Sequence, residues 1–165
     1  MKEKELYPFV ADWLKSFLRN RYPKASAIWV EDTSRTSISQ FLSRHDLLRL
    51  FTWGAMLDIP ADVTGAALLK TEKQQTVKLA IVEVKIGVIN LRDFFQILGY
   101  AKVAVPDHAF IISPKGWSPT LQRLVRDFRR LDILEYAPGK FVIVAKWDNS
   151  SKSVRPGDVL FSGAL

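Results

Sequence analysis

Glu83 and Lys85 stand two apart in a run, Leu79 to Ile86, that is otherwise apolar. Side chains of an extended chain alternate between two faces. Leu79, Ile81, Glu83 and Lys85 therefore share one face, and Ala80, Val82, Val84 and Ile86 the other. The second face is wholly apolar and belongs in a core. The first ends in a carboxylate beside an ammonium, and burying such a pair costs desolvation energy unless the charges are paired or coordinated. Alone, this is a strand-end ion pair. Asp62, at the head of the apolar run Val63 to Leu69, changes the reading. If residues 62–69 and 77–86 pair as a hairpin about the polar stretch Thr71–Thr76, Asp62 falls at the end that carries Glu83 and Lys85. Two carboxylates held close repel, and a cation between them is the natural remedy. Oxygen donors completed by water suit Mg²⁺ or Mn²⁺. Lys85 can then orient or deprotonate an attacking water, or stabilise charge on a phosphate. Asp58 is the rival to Asp62. Asp62 is preferred because Val63, Thr64 and Gly65 continue it into an apolar strand.

Composition narrows the choice of metal. The chain has 165 residues, the size of one domain, with no cysteine and two histidines, His45 and His108. Thiolate sites are excluded and a histidine-rich zinc site is disfavoured, so a metal would be held by oxygen. Apolar residues make up 48% and charged residues 25%, ordinary for a globular protein. The net charge of +7 and a pI near 9.7 suit a polyanionic partner such as nucleic acid. No apolar run reaches the roughly 18 residues of a membrane span, and MKEKELYP lacks the apolar core of a signal peptide. The expectation is a cytoplasmic protein without a membrane partner.

The elements that must position the three residues are read as follows. Leu6, Phe9, Val10, Trp13, Leu14, Phe17 and Leu18 recur at helical spacing, which predicts an amphipathic helix over 3–20. Residues 26–32 read as a strand, and 37–52 as a helix with Phe41, Leu42, His45, Leu48 and Leu50 on its stripe. After the hairpin, Asn90 caps a helix to about Val103, with Asp93 three residues on. HAFIISP is a further strand, and Ser118-Pro119 starts a helix packing Leu121, Leu124, Val125 and Phe128. Strands near 132–136 and 140–146 flank Pro138-Gly139. The domain is placed at 1–148, and the tail from Asn149 is read as loose apart from Val159–Phe161, which could still pack. Of the five tryptophans, Trp13 reads as core, and Trp29, Trp53, Trp117 and Trp147 as packing rather than base-stacking residues. The order of elements predicts an α/β fold with a mixed sheet covered on both faces.

Asp62, then Glu83-Val84-Lys85 on the next strand, then a helix, resembles the PD-(D/E)xK nuclease superfamily. The element order over residues 3–113 agrees with that family's αβββαβ core, the restriction-endonuclease-like mixed sheet flanked by helices. Gln96 and Tyr100, four apart on one helix face, resemble the Gln-x-x-x-Tyr element of its exonuclease-like branch. One departure is that Pro60 and Asp62 are separated by Ala61, where the family signature has Pro directly before Asp. The resemblance implies a nuclease that hydrolyses phosphodiester bonds of DNA and leaves a 5′-phosphate. It implies Mg²⁺ or Mn²⁺ held by Asp62, Glu83 and the carbonyl of Val84, with Lys85 positioning the water. Glu5 on the first helix becomes a further site candidate. Arg92, Gln96 and Tyr100, with Arg123, Arg126 and Arg130 on a later helix, become candidates for holding the nucleic-acid backbone. Duplex-cutting relatives are often dimers, so a homodimer is compatible. Two rival readings stand beside this one. One is a non-catalytic nucleic-acid-binding or scaffold protein on the same fold, and the other an unrelated α/β domain with a strand-end ion pair.

Overall fold

The computed structural model describes residues 1–52 and 58–164. Trp53 lies outside them. The protein is a mixed α/β fold built on one seven-stranded sheet with helices on both faces.

Helix α1 (Glu3–Arg21) buries Leu6, Tyr7, Val10, Leu14 and Leu18. Pro8 is tolerated in its second turn, and acidic residues at its start and basic ones at its end complement the helix dipole. Strand β1 (Ala27–Asp32) leads to a short helix α2 (Ile38–Arg44). The helix predicted over 37–52 is thus broken. Ser37 caps α2, but Asp46 takes a left-handed backbone (φ 57°), and a 3-10 turn, Leu48–Leu50, follows. Strands β2 (Val63–Lys70) and β3 (Gln75–Val84) form the expected antiparallel hairpin. Gly65 in β2 lies directly under α1. A Cβ there would sit 2.9 Å from Leu18 Cδ1 and 3.0 Å from Leu14 Cδ2, so the residue is small because helix and strand nearly touch.

Helix α3 (Leu91–Ala104) starts at a reciprocal capping box. Asn90 accepts from the Asp93 backbone N–H at 3.0 Å, and Asp93 accepts from that of Asn90 at 3.1 Å. Ile89 and Phe94, both fully buried, bracket that first turn. At its end Val105 takes a left-handed backbone (φ 44°, ψ 54°). A β-branched residue is strained there by about 1–2 kcal/mol, and it is 36% exposed. Val105→Gly is therefore expected to stabilise the protein by roughly 1 kcal/mol, read as a higher urea midpoint at unchanged m.

Strand β4 (His108–Ser113) pairs parallel with β3. Ser118 caps α4 (Pro119–Gln122), which widens into one π-helical turn, Arg123–Asp127. Leu121 and Val125 are buried, whereas Phe128 is 69% exposed and does not join the core. The strand predicted over 132–136 is largely a 3-10 turn (Leu131–Leu134), leaving β5 at Glu135–Ala137. Gly139, at φ 71°, makes the turn into β6 (Lys140–Asp148).

The tail is not loose. Residues Ser153–Val159 form β7, antiparallel to β6, and Val159 and Leu160 are buried. Its sequence, SVRPGDV, hides this because Pro156 and Gly157 interrupt the apolar pattern. Strand order is β1-β2-β3-β4-β6-β5, and β7 also pairs with β6. β5 and β7 lie end to end along the side of β6 that faces away from β4.

Alternation along β3 splits the core as predicted. Leu79 and Ile81 join the cluster under α2, α3 and α4. Ala80, Val82 and Val84 join the one under α1, where Trp13 packs edge-on to Phe110 and Trp147. Among the described residues no helix is long and apolar enough to cross a membrane.

Candidate functional site

The β2–β3 register pairs Val63 with Val82, so one step further along sets Asp62 across from Glu83. Both are buried, at 9% and 3% exposure. Asp58 is exposed, and it is Asp62 whose charge acts on Glu83.

Each carboxylate is held by neighbours. Asp62 Oδ1 accepts from the Tyr7 hydroxyl at 2.7 Å, and Oδ2 from the Val84 backbone N–H at 2.8 Å. Glu83 Oε1 accepts from Lys85 Nζ and from Gln96 Nε2, both at 2.9 Å. Gln96 also reaches the Tyr100 hydroxyl at 3.4 Å. Three elements therefore converge: the β2–β3 hairpin supplies the charges, α1 supplies Tyr7, and α3 supplies Gln96 and Tyr100. Glu83 Oε2 is buried and, among the described residues, has no hydrogen-bond partner.

Burial sets the electrostatics. Desolvation is the largest influence on Asp62 and raises its carboxyl, although the Val84 N–H, the Tyr7 hydroxyl and Lys85 oppose it. Glu83 is pushed from 4.5 to about 7, first by desolvation and then by the Asp62 charge, against the pull of Lys85. Desolvation alone would lower Lys85, but Glu83, Glu3 and Asp62 outweigh it and raise the ammonium above its ordinary value. Lys85 stays protonated.

The donor set fits a hard divalent cation. Glu83 is set across from Asp62, and among the described residues its buried Oε2 has no partner, which leaves one carboxylate oxygen available as a ligand. Among the described residues no three acidic or imidazole side chains converge. A cation would thus take two carboxylates and draw its other donors from backbone and water, as Mg²⁺ commonly does. Val84, whose carbonyl is the third donor the resemblance implies, follows the last β2–β3 pair.

The other candidates are distributed unevenly. Glu5 is exposed, and its Oε2 accepts from the Lys2 backbone N–H at 3.0 Å, which serves the start of α1. Glu3, two residues earlier, is the helix acid whose charge is felt at Glu83 and Lys85. Arg92 is exposed one turn before Gln96. Arg123 is exposed as well, but Arg126 is engaged. Its guanidinium donates to the carbonyls of Leu160 at 3.0 Å and Val159 at 3.1 Å, and lies 5.4 Å from the Trp117 ring centroid. It anchors the C-terminal strand. Arg130 is paired with Asp132 at 2.7 Å.

Tyr7 escaped the sequence reading, and the signal was there. It lies three residues before Val10 and seven before Leu14 on the buried face, and a buried tyrosine hydroxyl needs a partner. Tyr7→Phe keeps the ring and removes one hydrogen bond to a carboxylate. The expected cost is about 2 kcal/mol in urea unfolding at pH 8, shrinking at pH 4 as Asp62 is protonated. An unchanged midpoint at both pH values would mean that the hydroxyl does not support the charge.

No protein-family model matches the chain, and the search of curated proteins gave no similar sequence.

Proposed function

We propose that the protein is a metal-dependent nuclease of the PD-(D/E)xK kind, hydrolysing phosphodiester bonds of DNA on a restriction-endonuclease-like fold. The observation that carries the reading is the buried, opposed pair Asp62 and Glu83 with Lys85 beside it and Glu83 Oε2 unsatisfied. The order helix, strand, hairpin, helix, strand around that pair supports the fold assignment.

Asp62, Glu83 and the carbonyl of Val84 would hold Mg²⁺ or Mn²⁺, which supplies Lewis-acid polarisation of the scissile phosphate and a more acidic water. The protein's own groups do the rest. Tyr7 and the Val84 N–H fix the rotamer of Asp62, and Gln96 fixes that of Glu83. Lys85, protonated across the neutral range, orients the attacking water and stabilises charge on the phosphate rather than serving as a base. Water adds to phosphorus in line with the departing 3′-oxygen and that P–O bond breaks; the water's proton passes to solvent and the 3′-oxygen takes one from solvent, leaving a 5′-phosphate and a 3′-hydroxyl. Arg92, Gln96 and Tyr100 line the helix face where the backbone would lie. Contacts of that type position a substrate without reading its sequence.

The test is cleavage of single-stranded, duplex and branched DNA, and of RNA, in Mg²⁺ or Mn²⁺ against EDTA. Metal-dependent products that disappear in Asp62→Asn support the reading. Salt-sensitive binding without cleavage of any substrate would replace it with a non-catalytic nucleic-acid-binding role. Neither binding nor cleavage would leave the pair as a structural cluster.

A further inference from the structure

Strands β3, β4 and β6 run parallel and end at the same edge of the sheet. One step past the pair Val84–Ile112 sets Lys85 beside Ser113, and Ser113 pairs with Lys146. The Lys85 backbone N–H donates to the Ile112 carbonyl at 2.9 Å, which holds that register. Lys85, Ser113 and Lys146 therefore form a row across three strands. Alternation puts the row on the Glu83 face, because Ile81, Ile111 and Val144, each two or four residues earlier, share one core cluster.

The loops leaving β3 and β4 are tied together at the middle of this row. The buried Ser113 hydroxyl donates to the Gly87 carbonyl and accepts from the Lys115 backbone N–H at 3.0 Å. Gly116 follows with φ 67°, and a Cβ there would lie 3.9–4.0 Å from Cβ, Cγ and Cδ of Lys146. The glycine thus lies along the stem of Lys146, and the side chain remains exposed. Lys115 is exposed too, and among the described residues neither lysine makes an ion pair. The nearby Asp148 is engaged by Ser150, Ser151 and Arg155. Asp158 and Arg155 line the same pocket as Lys146.

We propose that Lys115 and Lys146 form a second phosphate-binding position, so that the substrate backbone runs from Lys85 across the C-terminal ends of β3, β4 and β6. At the usual strand spacing of about 4.8 Å, Lys146 stands roughly 10 Å from Lys85 across the sheet, the reach of a neighbouring phosphate rather than the scissile one. This rests on the nuclease reading and adds to it the path of the strand.

The experiment is fluorescence anisotropy of labelled single-stranded and duplex DNA, with Ca²⁺ replacing Mg²⁺ to keep the substrate uncut, across a NaCl series. The Lys115→Ala/Lys146→Ala double variant is compared with wild type and with Lys70→Ala/Lys73→Ala, which removes equal charge at the hairpin end far from Glu83. Losing two phosphate contacts lowers the slope of log K against log salt by about 1.8 on duplex or about 1.4 on single strands. In Mg²⁺ the same variant is expected to raise KM with kcat retained. Wild-type binding whose slope is unchanged by the double variant, or reduced equally by the distal pair, overturns the second site and leaves the nuclease reading standing. A wild-type protein that binds no nucleic acid overturns both.

Discussion

Glu83→Ala and Lys85→Ala are each expected to lower metal-dependent cleavage about a hundred- to a thousandfold, the scale seen when one preorganised electrostatic group is lost from an active site. The two side chains share one hydrogen bond, Lys85 Nζ to Glu83 Oε1 at 2.9 Å. They act as a unit, so the double variant should cost little more than either single one. Gln96→Ala should cost less, about 10–100-fold, because Lys85 still holds Glu83 when the amide is gone. Single-turnover rates at saturating substrate are the measurement. Additive losses in the double variant would mean that the two residues serve separate steps. A Lys85→Ala protein of wild-type rate would remove the lysine from the chemistry.

The second large effect is on stability. Burial and the Asp62 charge move Glu83 from 4.5 to about 7 in the folded protein. Between those values the native state holds a proton that the unfolded chain has released. Stability is then fullest below about pH 4.5, falls as pH rises, and levels off above about pH 7. The total is about 3 kcal/mol for a shift of this size, and Asp62, also raised, adds in the same direction. Urea unfolding from pH 4 to 8.5 should show this decline in wild type, and Glu83→Gln should lack most of it. Above pH 7, Mg²⁺ or Mn²⁺ should restore stability by about 2.7 kcal/mol at a hundredfold excess over its dissociation constant, but not in the variant. A wild-type curve that rises with pH, parallel to that of Glu83→Gln, would contradict the raised Glu83 carboxyl.

Much of this was legible from local pattern. The alternation at Leu79–Ile86 placed Glu83 opposite an apolar face, and the Asn90 box and the Ser118-Pro119 start were read correctly because caps are local chemistry. The long helix over 37–52 was misread because its apolar spacing continues through a left-handed residue at Asp46, which no periodicity reveals. Strand β7 was missed because it is held by long-range contacts, notably Arg126 on the Val159 and Leu160 carbonyls. That same bond explains why Arg126, read from sequence as part of an exposed basic face, is engaged within the protein. In the site, Asp62 and Glu83 follow from hairpin register, whereas Tyr7 arrives from 55 residues away and needed the packing of α1 to bring it in.

The end-to-end placement of β5 and β7 along β6 has an effect on how the sheet can grow. That side presents two short segments, each with a register shift in its pairing to β6, a poor template for another chain's strand. Among the described residues, β1 is the one continuous outer strand. At its far end Glu31 is clamped by Arg44 and by His45 at 2.6 Å, and Asp32 stands exposed beside it. Protofibril-like stacking or strand-mediated pairing of two copies is thus confined to a single six-residue border that carries adjacent negative charges.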